Sequence, residues 1–525
     1  MPIERVVIEN FKAFRHLDLS LNAHMNLIVG NNEVGKSTLL EAIHAVVTGQ
    51  LHGRSIAYEI TPYLFHQPTV AAYLTGLREG QSGPPPRILI EAYLGRDPAV
   101  ASLRGTNNSL GEDVAGLRLL IELNDDYREE FEAYLRQYQG GSLPVEYYTV
   151  RWYSFANNGV TARSIPFDST IIDTAASRTL SGADRYIASI IDQVLAPAQR
   201  VALSSSFRRM RHSFAQEPDV ATINTFLAQS TGDISNKCLS VGVDTSARST
   251  WETSLSPYLD ELPFTHAGKG EQSAVKMKLA MRAAGTAHVL LVEEPENHLS
   301  FSSMAQLIER IAALSGTQQV VIATHSSFVL NKLGVDNVIL FSAQGHMKLE
   351  QLPSDTHDYF MKLPGHDTLR LILARQTILV EGPSDELIVQ RAFLDRYGVH
   401  PLARGVDVIS IKSLAFKRFL QIAQQLSIPT RVVTDNDGDV ATLQVRYADF
   451  LNQIFYDSDE DAPSLEQQLI KANSLAQLNQ VLGKTFADEA ALLKFMRGNK
   501  TDTALAIFSS PHSMVFPDYV QRAIA

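Results

Sequence analysis

Gly30-Asn31-Asn32-Glu33-Val34-Gly35-Lys36-Ser37-Thr38 decides how the N-terminal half is read. The stretch fits the pattern G-x-x-x-x-G-K-[ST] completely, and it lies between an apolar strand, His24–Val29, and an apolar helix, Thr38–Val47. Gly30 and Gly35 permit backbone shapes in which successive N–H groups, those of Asn31 and Asn32 among them, point at a phosphate. Lys36 supplies a point charge to the terminal phosphates, and Ser37 a hydroxyl to Mg²⁺, as Thr38 opens the helix. A dinucleotide-binding turn is excluded, because that fingerprint lacks the lysine.

Working outward, Ile3–Ile8, Arg87–Leu94 and Tyr147–Trp152 read as strands, and Gly80-Gln81-Ser82-Gly83-Pro84-Pro85-Pro86 as irregular chain. The pattern turns helical from about Ala162 to Val241, for example at Tyr186, Ile187, Ile190, Ile191, Val194 and Leu195. Strands then return at His288–Val292 and Gln319–Ala323, so that β and α alternate again. The first of these runs into Glu293 and Glu294, two acids leaving the carboxyl end of a buried strand. Glu293 is assigned to Mg²⁺ and Glu294 to the attacking water. His325, at the end of the second strand, is placed to sense the γ-phosphate.

Beyond an interruption at Leu352 to Gly365, strands Thr377–Val380, Val406–Ile411 and Thr430–Thr434 alternate with helices Asp385–Tyr397 and Phe416–Leu426, a second parallel α/β unit. Two of its strands end in acids: Glu381-Gly382-Pro383-Ser384-Asp385 and Asp435-Asn436-Asp437-Gly438-Asp439. Open α/β sheets bind ligands at that end, and hard oxygens gathered there suit Mg²⁺ or Mn²⁺. Glu381 with Asp385, and Asp435 with Asp437, are spaced so that each pair can converge on one ion. Taken alone, the Asp435–Asp439 run also reads as an Asx-rich turn. An EF-hand is excluded, since the position needing glutamate is Arg446.

The chain has 525 residues and a net charge of −11, which argues against indiscriminate coating of nucleic acid but leaves room for a local DNA site. A single cysteine, Cys238, and a start without a basic n-region or apolar h-region lead to the expectation of a cytoplasmic protein. No apolar run reaches the roughly 18 residues of a membrane span, so a membrane protein is excluded. Arg200, Arg208, Arg209, Arg211 and His212 form a basic cluster that reads either as a DNA-phosphate contact or as the outer face of a dimerisation helix.

The nucleotide motifs, with Gly268-Lys269-Gly270-Glu271-Gln272-Ser273 opening a helix, resemble ABC-type ATPases of the structural-maintenance (SMC) and RecF type. That resemblance implies ATP bound with Mg²⁺, a signature turn around Gly270 that caps the γ-phosphate of a second copy, and homodimerisation. Glu296-Asn297-His298-Leu299 resembles the D-loop, whereas a Leu-Ser-Gly-Gly signature is absent and no Q-loop glutamine can be placed. The second unit resembles the Toprim fold, and the two in this order resemble the OLD (overcoming lysogenisation defect) family, class 2, similar to the Gabija A subunit of antiphage defence.

The resemblance implies an ABC-type ATPase domain in residues 1–161 and 246–365, a helical dimerisation insertion in 162–245, and a Toprim nuclease domain in 370–525 with a Rossmann-like fold. It further implies two metal ions on Glu381, Asp385, Asp435 and Asp437, with Glu466 as a further metal acid and Lys500 near the scissile phosphate. The expected activity is ATP-regulated, metal-dependent cleavage or nicking of DNA, with a helicase-like partner made plausible by the Gabija likeness. Two rivals stand beside it: a RecF-like ATP-switched DNA clamp that does not cut, and cleavage of structured RNA.

Overall fold

In a computed structural model the described residues are 2–31, 33–81, 83–137, 142–162, 164–173, 195–229, 241–242, 251, 258–272, 275, 287–297, 299–333, 337–342, 345–348, 370–371, 374–411 and 416–525. Asn32, Ser273, His298, the Tyr186–Val194 pattern and the expected interruption at 352–365 lie outside them.

Two sheets build the N-terminal half. The first is antiparallel and places Ile3–Phe11 between Phe14–Ser20 and Ile88–Leu94, followed by Val114–Leu123 and Tyr148–Ser154. The second runs Ser169–Asp173, Val289–Glu293, Gln319–Thr324, Met25–Gly30 and Val338–Ser342 in parallel, with Gly345–Lys348 antiparallel at its edge. Its strands are apolar on both faces, as a parallel sheet covered on both sides requires. Ile28, Leu291, Val321 and Ile339 point into the core that also holds Leu39, Ile43 and Val46 of helix Lys36–Thr48, together with Ile8, Ile90 and Leu119 of the antiparallel sheet. The alternate residues Leu27, Val29, Leu290, Val292, Val320 and Ile322 enter a second core. The helix after the phosphate loop is thus clamped between sheets, and every strand that carries nucleotide chemistry ends at its N-terminal side.

Ser169–Asp173 corrects one expectation. The sequence places it inside the helical insertion, yet Thr170, Ile171 and Ile172 are β-branched and pair in register with Leu290, Leu291 and Val292. Helices Pro197–Ala215 and Pro218–Gln229 lie beyond that strand.

The C-terminal half has a four-stranded parallel sheet, ordered Val406–Ser410, Gln376–Val380, Thr430–Val433 and Ile454–Phe455. Ile378, Val380, Val408 and Val433 face a core shared with helices Pro383–Tyr397 and Lys500–Ser509. Leu379, Ile409 and Val432 face the other way, into the cluster that also contains Leu27, Val29 and Leu340 of the N-terminal half. One apolar cluster therefore runs through both halves. No described helix is long and apolar enough to cross a membrane.

Candidate functional site

The phosphate loop is shaped by close contacts. A Cβ on Gly30 would meet the Phe341 carbonyl oxygen at 2.4 Å, and one on Gly35, at φ 98°, would enter the Phe14 ring at 2.5 Å. Only glycine fits either position. Helix Lys36–Thr48 begins with no side-chain cap and no acid in its first turn, so its free N–H groups and the positive end of its dipole remain available to an anion. Lys36 is buried, and its ammonium donates to the carbonyls of Gly30 and Asn31, both at 2.7 Å. Burial pushes its pKa down, against the opposing pull of Glu294, Glu296 and Glu293. Ser37 is exposed and Thr38 is buried beside it.

Glu293 ends its strand, and Glu294 follows at φ 42°, in the left-handed region that a residue with a Cβ rarely enters. Its backbone N–H donates to Ala323 at 2.8 Å, which fastens this turn to the neighbouring strand. Asn297 donates to the Glu294 carboxylate at 2.6 Å. His325 Nδ1 stands 3.4 Å from Glu294 and 3.3 Å from Glu296. Lys36, Glu293, Glu294 and His325 are therefore brought to one place from three segments of chain. Gly270 lies in a helical turn opened at Gly268, whose carbonyl accepts from the Gln272 N–H at 2.9 Å. The sequence reading placed Glu296 only at the head of a D-loop-like segment, with no contact to His325. Its cue was available, a third acid within four residues, but only the fold shows that it turns back onto the end of the adjacent strand.

A second constellation lies at the carboxyl ends of the C-terminal sheet. Glu381 accepts from the Thr434 hydroxyl and, at 3.1 Å, from the Asp435 N–H, so the two acid-bearing strand ends are tied together. Asp385 sits in the first turn of its helix and accepts from the Gly382 N–H at 2.9 Å. Glu466 is buried on helix Leu465–Ala472; one of its oxygens faces Lys500 Nζ at 3.3 Å, and the other has no hydrogen-bond partner among the described residues. Burial, then the charges of Glu381 and Glu466, push Asp385 up to about 6, opposed by the Gly382 N–H and Lys500. Burial, then Glu381, Asp385 and Glu466, push Asp435 up to about 8, again against Lys500.

Four of the expected acids and the expected lysine are thus electrostatic neighbours. Asp437, at φ 52°, follows in the same loop and is not one of the charges acting most strongly on Asp435. Asn436 braces that loop, donating to the carbonyls of Asp457 at 2.8 Å and Asp459 at 2.7 Å. Among the described residues no three acids, histidines or cysteines already converge on a single metal position. The donor set nonetheless suits a hard cation: carboxylates that resist ionising together, and one buried oxygen left unpaired.

Tyr519 was not legible from sequence. It is almost fully buried on helix Asp518–Ala523, and its hydroxyl is held well above its ordinary pKa by burial and by Asp435, Asp385, Asp457 and Glu381. Tyr397 and Tyr447 are packing residues, the first donating a 3.0 Å hydrogen bond to the Ile524 carbonyl and the second standing edge-on to Phe416. In the basic cluster, Arg208, Arg209 and His212 are exposed, and Arg211 lies over the Phe207 ring at 5.4 Å.

Residues 372–437, which hold both acid-bearing strand ends, match the family model for the TOPRIM domain of overcoming lysogenization defect protein-like chains, and residues 5–82 match an AAA domain. A further AAA domain model, named for an AbiEii toxin of a type IV toxin–antitoxin system, matches residues 211–331. The chain thus joins segments that match AAA domains to a segment that matches the OLD-like TOPRIM domain. A stretch of the chain is also similar to DNA replication and repair protein RecF: 42% identical over 66 residues to that of Actinobacillus pleuropneumoniae serotype 5b, and 35% over 63 residues to that of Lachnospira eligens. These matches cover 13% and 12% of this chain and 17% of each relative, so the chain spans about a sixth of the length of the RecF proteins it matches. Among solved structures, the C-terminal region of the Burkholderia pseudomallei OLD protein is 20% identical, covering 29% of this chain and 96% of that one at a TM-score of 0.25. The SMC head domain from Thermotoga maritima is 14% identical, covering 65% and 94% at a TM-score of 0.30.

Proposed function

We propose that the protein is an ATP-regulated, divalent-metal-dependent DNA endonuclease whose cutting site is the carboxylate cluster of its Toprim domain. The observation that carries this reading is the crowding of half-buried Asp385 and Asp435 and buried Glu466 beside Lys500, which raises both aspartates and leaves one Glu466 oxygen unpaired among the described residues. Structural ion pairs seldom leave acids so burdened, whereas sites built to take a cation do. Glu381, Asp385, Asp435 and Glu466, with Asp437 beside them, would hold Mg²⁺ or Mn²⁺. Bound there, two ions would supply Lewis acidity and a nucleophilic water for phosphodiester hydrolysis. Lys500, more than half exposed, is free to meet a phosphate oxygen and to stabilise the charge that builds on it. The ATPase site would set when cutting occurs, through Lys36, Ser37 and Glu293 holding MgATP and Glu294 orienting water. Engagement of the Gly270 turn by a second copy, and a dimer built through residues 162–245, belong to the same proposal, as do a role in antiphage defence and a helicase-like partner.

Supercoiled plasmid incubated with Mg²⁺ or Mn²⁺, with and without ATP, tests the reading. Wild-type protein is expected to relax or linearise it and Asp435→Ala to leave it intact; equal inertness of both under all nucleotide conditions rejects it. The RecF similarity over 66 residues favours one rival, a DNA clamp switched by ATP. Duplex binding that depends on Lys36, without cleavage, would select that rival. RNA substrates run in parallel separate the third possibility.

A further inference from the structure

We infer that Glu296 is a positioning residue for nucleotide hydrolysis, pinning His325 against Glu294; this rests on the ATPase reading of the N-terminal site. Its Oε1 accepts from the Thr324 hydroxyl at 2.8 Å and from the His325 backbone N–H at 3.1 Å, both at the end of strand Gln319–Thr324. The same oxygen stands 3.3 Å from His325 Nδ1, and Glu294 reaches that nitrogen from its own side at 3.4 Å. Two carboxylates facing one ring nitrogen require it to carry the proton. Nε2 is then the nitrogen that the imidazole presents outward, from a side chain 43% exposed.

Glu296 itself is covered: its side chain is 12% exposed, and Oε2 is buried with no hydrogen-bond partner among the described residues. A carboxylate with an unpaired buried oxygen costs free energy that a simple turn residue has no reason to bear. Its charge also reaches Lys36, together with those of Glu294 and Glu293, so it stands at the phosphate end of the site. A ring left to swing would have to be ordered during each turnover. Pinned between two acids it meets the terminal phosphate without that reorganisation, and it holds Glu294 in place by the same contact.

The test compares Glu296→Ala, Glu296→Gln, His325→Ala and the Glu296→Ala/His325→Ala pair, well below their melting temperatures. It measures ATP turnover, and binding of fluorescent ATP and ADP analogues. Glu296→Ala is expected to lower kcat about tenfold, to keep ADP affinity within about threefold, and to cut the preference for ATP over ADP to the level of His325→Ala. The pair should be no worse than His325→Ala alone, since both changes break one unit. Glu296→Gln keeps an oxygen for Thr324 and the His325 N–H, so it should retain more of the rate than alanine; it replaces alanine in the pair should that variant fail to fold. Unchanged kcat and preference, or additive losses in the pair, overturn the inference while leaving the ATPase reading intact. A wild-type chain that binds neither nucleotide overturns both.

Discussion

Asp435 gives up its proton only near pH 8 because it is buried among Glu381, Asp385 and Glu466, with Lys500 alone set against them. An amide of the same shape removes that burden. In EDTA near pH 8, Asp435→Asn is therefore expected to melt above wild type, by about 1 °C if roughly 1 kcal/mol is relieved in a chain of this length. Adding Mn²⁺ should raise the melting temperature of wild type and leave that of the variant where it was. A thermal shift of equal size in both proteins would place the cation elsewhere. Lys500 gives the complementary case. Its replacement by methionine should reduce cleavage by about 10²–10³-fold if it stabilises the transition state, while Mn²⁺ still shifts the melt. Loss of the Mn²⁺ shift in that variant would mean that the lysine only holds Glu466 in place.

Helix Lys36–Thr48 carries a titratable group into the core between the two sheets. His44 bonds Ser169 Oγ at 3.0 Å, and burial lowers its pKa to about 4, against a smaller upward pull from Asp168. The folded helix holds this imidazole neutral, whereas the unfolded chain protonates it near 6.5. The stability it permits is full above pH 6.5 and is lost as pH falls toward 4, about 2 kcal/mol of it by pH 5. His44→Gln should flatten the decline of the urea midpoint between pH 7 and 5; an unchanged decline would assign acid lability to other groups. At this scale much was legible in advance. The strands at Met25, Val289, Gln376 and Thr430 announce themselves as short apolar runs leading into glycine or acids, and that at Gln319 as one leading into His325, because a parallel sheet buried on both faces leaves no polar alternation to confuse them. Ser169–Asp173 was hidden because five residues are too few to outweigh the helical periodicity on its far side. Glu296 and Tyr519 escaped for another reason: each acquires its role from a neighbour distant in sequence, Tyr519 across more than eighty residues from Asp435, and no local pattern reports such a meeting.

Across the whole molecule, the apolar cluster shared by Leu27, Val29 and Leu340 with Leu379, Ile409 and Val432 ties the ATPase and Toprim halves into one packed body. Calorimetry should accordingly show a single unfolding transition, raised by ATP in wild type but not in Lys36→Ala, and raised by Mn²⁺ in both. Two transitions that respond separately to the two ligands would show that the halves unfold independently. Such unity also gives meaning to the way Lys36 rests on the carbonyls of Gly30 and Asn31. A cation already satisfied by its own loop offers little to a passing sulfate or orthophosphate, which would have to displace two good acceptors in exchange for one contact. Only a ligand bringing several phosphate oxygens at once makes that exchange favourable, so the loop is expected to prefer polyphosphates to single oxyanions.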